Sequence, residues 1–209
     1  MFYFVKTPWW LKKLYRGCIW GFSPGRKTIY LSFDDGPHPV ATPFVLTELS
    51  KYKAKATFFC IGKNVEAYNG IYKKIIEGGH STGNHTYNHL NGWKTPNALF
   101  MDDIEKAKIH INSNLFRPPY GRIKKSQLRL INDLYPGFKV IMWSILSGDF
   151  DTAISSEKCF SNVINNAKSG AVIVFHDSEK AFNHLKYTLP KVLEYFSSKG
   201  YNFEKIIIP

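Results

Sequence analysis

The sequence predicts one α/β domain whose parallel strands close into a barrel of about seven βα units. Three observations predict it. From residue 28 onward, short apolar runs alternate with longer stretches of helical periodicity. The apolar runs are rich in branched and aromatic residues, as strands covered on both faces require. The length of 209 residues gives one domain room for a sizeable core. An open doubly wound sheet is the alternative topology.

Each element can be justified in order. Thr7-Pro8 reads as a helix cap and first helical position. Trp10, Leu11, Leu14, Tyr15 and Cys18 then fall on one face, against Lys12, Lys13 and Arg16. This start packs under the domain or lies in a membrane interface, and packing is the better reading. Residues 28–33 read as a strand, 42–52 as a helix and 56–61 as a strand. Residues 64–77 carry helical periodicity that stops at Gly78-Gly79. A short strand near 80–83 precedes a helix over 97–112, a brief strand at 115–117 and a helix over 124–133. Strand 139–144, helix 156–167, strand 171–175, helix 184–198 and strand 203–208 complete the chain. Residues 1–27 are thus expected to be an amphipathic extension, with 28–209 the working domain.

Composition narrows the function classes. The chain carries 28 Lys and Arg against 16 Asp and Glu, a net charge of +12. That excess suits anionic surroundings, but no basic run exceeds two residues and no nucleic-acid reading module appears. Nucleic acid is therefore not an expected partner. Cys18, Cys60 and Cys159 are odd in number and make no CxxC pair, which points to buried thiols or a reducing compartment. The start lacks a secretory leader, and no stretch approaches 18 apolar residues. The expected location is the cytoplasm, with contact between residues 7–20 and a membrane face kept as an alternative.

Reactive residues gather where strands end, the rim at which parallel sheets bind ligands. The first strand delivers Asp34-Asp35 into the turn Gly36-Pro37. Neighbouring residues on a strand point to opposite faces, so paired acids matter only where the chain bends. There one acid can hold a metal while the other takes a proton. His85 and His89 are spaced i,i+4, so one helical turn would put both rings on one side. With Asp35 they would make a two-histidine, one-carboxylate metal set with open positions. His80 is a rival ligand at a poorer spacing. Arg117 could pin and orient a carboxylate such as Asp34. His176 emerges from the buried strand 171–175 at the same rim.

The stretches Ser32-Phe33-Asp34-Asp35-Gly36-Pro37, His85-Thr86-Tyr87-Asn88-His89, Arg117-Pro118-Pro119-Tyr120-Gly121 and Val174-Phe175-His176-Asp177 resemble the motifs of the polysaccharide deacetylase family, in that family's order. The resemblance covers roughly residues 28 to 208. It implies a distorted (β/α)7 barrel and metal-dependent removal of acetyl groups, chiefly N-acetyl, from an amino-sugar glycan. It also implies Asp34 as catalytic base and Asp35, His85 and His89 as ligands of a divalent metal, usually zinc, with cobalt, nickel or manganese as alternatives. Arg117 matches the residue that orients the base, and the Tyr120 backbone N–H matches the oxyanion donor. His176 matches the acid that protonates the leaving amine. Pro119, Tyr120, Trp143 and Asp149 are expected to line the substrate site, and Tyr87 and Trp93 are further aromatics able to stack on sugar rings.

One motif departs from the family. Where the family often has Asp-Ser-x-Asp-Trp, this chain reads Leu146-Ser147-Gly148-Asp149-Phe150. His176 is therefore expected to lack a carboxylate partner and to have a less elevated pKa, unless Asp149 or Asp151 substitutes. A catalytically impaired glycan-binding protein is the alternative function.

Overall fold

Parallel pairing organises the whole molecule. The structure is a computed structural model that describes residues 3–23, 25 and 27–208. Among these residues nine strands form one sheet: β1 (Cys18–Ile19), β2 (Thr28–Asp34), β3 (Ala56–Cys60), β4 (Ser81–Asn84), β5 (Leu115–Phe116), β6 (Lys139–Ile141), β7 (Ile145–Leu146), β8 (Val172–His176) and β9 (Asn202–Phe203). Their order is β1-β6-β5-β4-β3-β2-β8-β7, with β9 beside β2. Strands β6 and β7 follow one another closely in the chain yet lie toward opposite ends of that order. The sheet must therefore curl until its ends nearly meet. The result is a distorted barrel, as expected.

The helices α1 (Trp9–Leu14), α2 (Ala41–Lys51), α3 (Gly62–Ala67), α4 (Asn69–Glu77), α5 (Asn97–Lys108), α6 (Lys125–Leu134), α7 (Ser156–Ile164) and α8 (Phe182–Ser198) complete the regular structure. Several sequence readings need correction, among them the expected strand over 203–208, which is limited to Asn202–Phe203. The expected helix over 64–77 is two helices, because Tyr68 leaves helical geometry at φ −124° and ψ 43°. The expected strand over 139–144 ends at Ile141, and pairing resumes on another neighbour at Ile145.

Strand alternation separates the two faces of the sheet. Ile29, Leu31, Phe33, Phe58, Ile173 and Phe175 point outward into a core shared with Val45, Leu49, Leu185 and Leu189. Phe33 stacks between Phe58 at 5.1 Å and Phe175 at 6.0 Å. Truncating such a buried ring to alanine costs about 3–5 kcal/mol. The intervening residues point into the barrel, and on β2 these are Ser32 and Asp34. The space inside is filled partly by Phe59. A Cβ on Gly83 would sit 2.5 Å from that ring, so only glycine fits there.

The N-terminal segment joins this scaffold. Lys6 bridges antiparallel to Ile145, and β1 pairs with β6. Cys18 and Trp20 are buried against Phe138, Val140 and Met142. Thr7 does not cap α1. Its hydroxyl donates to the Trp143 carbonyl at 2.8 Å, and Pro8 occupies the cap position. Leu11 and Tyr15 pack inward, but Trp10 and Leu14 stay exposed, because the six-residue helix turns only one flank to the core. All three cysteines are buried free thiols. No helix among the described residues is long and apolar enough to cross a membrane.

Candidate active site

Register brings the first two reactive groups together. Asp34 lies opposite His176 on β8 and opposite Phe59 on β3. Both Asp34 and His176 are inward positions at the carboxyl end of their strands. Arg117 follows β5 and runs into the barrel, where it is fully buried. Its Nη1 donates to Asp34 Oδ1 at 2.7 Å and to Ser32 Oγ at 2.8 Å. Its Nε and Nη2 donate to the carbonyls of Ile141 and Met142, each at 3.0 Å. Below it the guanidinium stacks 4.0 Å over the Phe59 ring. A buried cation so fully bonded is rigid, and it fixes one Asp34 oxygen by a charge-assisted bond.

Asp35 turns the other way. Its φ is +79°, and Thr86, His89 and Tyr120 also have positive φ, of 62°, 58° and 60°. Such backbone is rare outside glycine and costs of order 1–3 kcal/mol at each residue. Four of these strained residues gather around one point. Asp35 Oδ1 stands 3.7 Å from His85 Nε2 and 3.2 Å from His89 Nε2. Ligands about 2.1 Å from a tetrahedral ion stand roughly 3.4 Å apart, so the three groups fit one cation. Among the described residues they form the set whose ligand atoms all lie within 4.8 Å of one another.

The histidine pair does not arise from a helical turn. Residues 85–92 are irregular, and the positive φ at Thr86 and His89 swings the rings to a centroid separation of 5.1 Å. Hydrogen bonds hold this bend. Asn84 Oδ1 accepts from Thr86 N at 2.8 Å. The Asp103 carboxylate on α5 accepts from the backbone N–H groups of Tyr87 at 3.0 Å and Asn88 at 2.8 Å, and from Asn88 Nδ2 at 2.6 Å. Sequence reasoning missed Asp103 because an acid on a helix looks like a solvated face. His80, the rival ligand, lies elsewhere, with its Nδ1 accepting from Ala56 N at 3.2 Å.

Electrostatics suit the ligand set. Burial pushes His85 down to about 4, so its ring is neutral. Its Nδ1 is 2.7 Å from the Arg117 carbonyl, which can only accept, so Nδ1 carries the proton and Nε2 faces Asp35. Burial opposes ionisation of Asp35, but His89, His176 and His85 together hold its carboxyl well below the usual range.

Leu146 leaves no gap at His176. Asp149 is fully buried, and its Oδ1 lies 2.7 Å from His176 Nδ1 while Oδ2 accepts from the His176 backbone N–H at 2.7 Å. Of the outcomes the sequence left open, the substitution holds: Asp149 is the carboxylate partner of His176. Burial alone would lower the imidazole pKa, but Asp149 outweighs it and raises the value to about 9. The same contacts occupy Asp149, which reaches His176 and not open space. Asp177 anchors the acidic turn from below. It accepts from Gly36 N at 3.1 Å and Thr42 Oγ1 at 2.5 Å, and a Cβ on Gly36 would sit 2.1 Å from it.

The aromatics divide. Tyr120 is 54% exposed and packs 4.5 Å from the His89 ring, on the buried Pro119. Trp143 is half-buried beneath Gly121. Tyr87 is turned away, bonded through its hydroxyl to Glu66 and covered by Lys106 at 3.8 Å. Trp93 stands exposed on the loop after His89.

Comparison with known proteins agrees with this geometry. The family model for polysaccharide deacetylases matches residues 22–136. The chain belongs to the polysaccharide deacetylase family. It is 34% identical over 190 residues to a peptidoglycan-N-acetylglucosamine deacetylase of Bacillus cereus, covering 88% of each chain. A chitooligosaccharide deacetylase of Azorhizobium caulinodans is 33% identical over 159 residues, 73% of this chain and 74% of that one. The crystal structure of a peptidoglycan N-acetylglucosamine deacetylase superposes with a TM-score of 0.86 at 29% identity, covering 96% of this chain and 95% of that one.

Proposed function

We propose that this deacetylase-family chain hydrolyses N-acetyl groups of an amino-sugar glycan, releasing acetate, with Asp35, His85 and His89 holding one divalent cation. Two imidazoles and one carboxylate favour zinc, with cobalt, nickel and manganese as alternatives. When bound, such an ion supplies Lewis-acid polarisation and makes water nucleophilic near neutral pH.

The other residues divide the remaining work. Asp34, tied to Arg117 through one oxygen, keeps its second oxygen for the proton of the attacking water. His176 shares its Nδ1 proton with Asp149, which leaves Nε2 to protonate the departing amine. The Tyr120 backbone N–H stabilises the oxyanion, and Pro119 and Trp143 shape the sugar site from beneath it. One observation carries this reading: adjacent acids have different partners, Asp34 an arginine and Asp35 two histidines. A protein that only bound glycan would need neither the held base nor the paired histidine. The test is acetate release from an N-acetylglucosamine oligomer. Asp34→Asn should lower the rate by about 100-fold or more, and equal release from both proteins would remove Asp34 from the mechanism.

We also propose peripheral contact with an anionic membrane surface through residues 7–20. Trp9 is 74% exposed and Trp10 and Leu14 are each 48% exposed, beside Lys12, Lys13 and Arg16. Aromatic and basic residues on one outer face suit a headgroup region. Deleting residues 1–24 would also remove β1 and the buried Trp20, so a Trp9→Ser, Trp10→Ser protein is the better probe. It should partition less onto anionic vesicles than the unaltered chain, and equal partitioning would dismiss the contact.

A further inference from the structure

Beside the reacting groups, the rim carries an arginine without an acid. Arg122 follows the Tyr120 turn, and its guanidinium lies 5.1 Å over the Trp93 ring. None of the ion pairs among the described residues uses it. It stands two residues after Tyr120, whose ring packs on His89.

The Trp93 loop is built into place. Gln127 is fully buried, and its Nε2 donates to the carbonyls of Gly92 at 2.9 Å and Thr95 at 3.2 Å. The Trp93 Nε1 donates to the Ile123 carbonyl at 3.2 Å. A Cβ on Gly92 would meet the Arg122 carbonyl at 2.3 Å, so the two loops are in close contact. Despite these anchors Trp93 remains 54% exposed. The rim therefore presents a fixed indole surface and a cation beside it, one residue beyond the segment that packs on the candidate metal ligands.

We propose that Trp93 and Arg122 form a subsite for a carboxylate-bearing sugar next to the acetamido sugar being cleaved. The indole stacks on the sugar, and the guanidinium fork pairs with the carboxylate. This rests on the deacetylase reading and deepens it: the substrate is an acidic amino-sugar polymer, and a neutral one is the poorer fit. A glycan that carries a carboxylic ether on alternate sugars has that chemistry.

A matched pair of probes isolates the carboxylate. One is an alternating tetrasaccharide of N-acetylglucosamine and N-acetylmuramic acid, the other its methyl ester. The zinc-loaded wild-type protein should show kcat/KM for the acid about threefold to tenfold above that for the ester, mostly through KM. Raising the salt to about 1 M should reduce that ratio. In Arg122→Gln the ratio should approach one, while Arg122→Lys retains part of it. The same ratio in the wild type and in Arg122→Gln overturns the subsite, as does a wild-type ratio of one. Calorimetric titration of both saccharides reads the preference without turnover. A preference that needs Arg122, without acetate release, would sustain the subsite and strike at the activity instead.

Discussion

Asp149 holds both the ring and the backbone of His176, and the consequence is a test of proton chemistry. A raised pKa keeps His176 protonated, and so able to act as an acid, until the pH rises through about 9. Its stabilising contribution to the fold has the same sign. That contribution is fully present below the ordinary imidazole value of 6.5 and is lost as the pH rises through the folded value. Asp149→Asn removes the charge that opposes burial. The alkaline limb of the pH–rate profile should then move down, to the ordinary imidazole range or below it. A limb that stays in place would show that Asp149 does not set the acid. At this scale the sequence was informative wherever a residue's chemistry is special. Asp34, Asp35, His85, His89, Arg117 and His176 could all be picked out. Asp149 could be named only as a substitute for Leu146, because sequence spacing does not say which of two nearby acids faces a ring.

Among the elements, the histidine loop separates sequence pattern from structure. The i,i+4 spacing picked out two rings that the fold does bring together and suggested the wrong geometry, since they meet through positive-φ backbone in an irregular bend. What holds that bend is Asp103 on α5, a residue distant in sequence and ordinary in type. Removing its carboxylate in Asp103→Ala takes the acceptor from the Asn88 backbone and side-chain N–H groups and leaves the Tyr87 N–H only the Asp103 backbone carbonyl, a loss of about 1–3 kcal/mol. It should also weaken cation binding by about 10- to 100-fold, as loss of an outer partner does at other metal sites. Titration of zinc into Asp103→Ala against the unaltered chain measures this, and equal affinities would deny Asp103 any part in shaping the site. Strand and helix positions were legible for a simpler reason. Apolar runs such as 171–175 and 56–61 leave little choice of structure, whereas the break at Tyr68 and the two-residue strands depend on neighbours that no local pattern reports.

The molecule as a whole is a curled parallel sheet whose inner face changes character from bottom to top. Phe59, Leu115, Ile141 and Val172 pack the interior, and above them lie Ser32, Asp34, Arg117 and His176. This layering is what lets one arginine reach across the barrel to an acid on β2, and it follows from strand register and alternation more than from any single motif. The barrel could be expected from the βα rhythm. The part played by the N-terminal segment could not, because β1 has only two residues and its pairing with β6 joins distant parts of the chain. The central claim is that the fold sets two neighbouring acids to different tasks. Zinc content after dialysis, measured on folded wild-type, Asp34→Asn and Asp35→Asn proteins, tests it most directly. The account predicts one equivalent in the wild type and in Asp34→Asn and almost none in Asp35→Asn. Retention of zinc by Asp35→Asn, or its loss from Asp34→Asn, would contradict it.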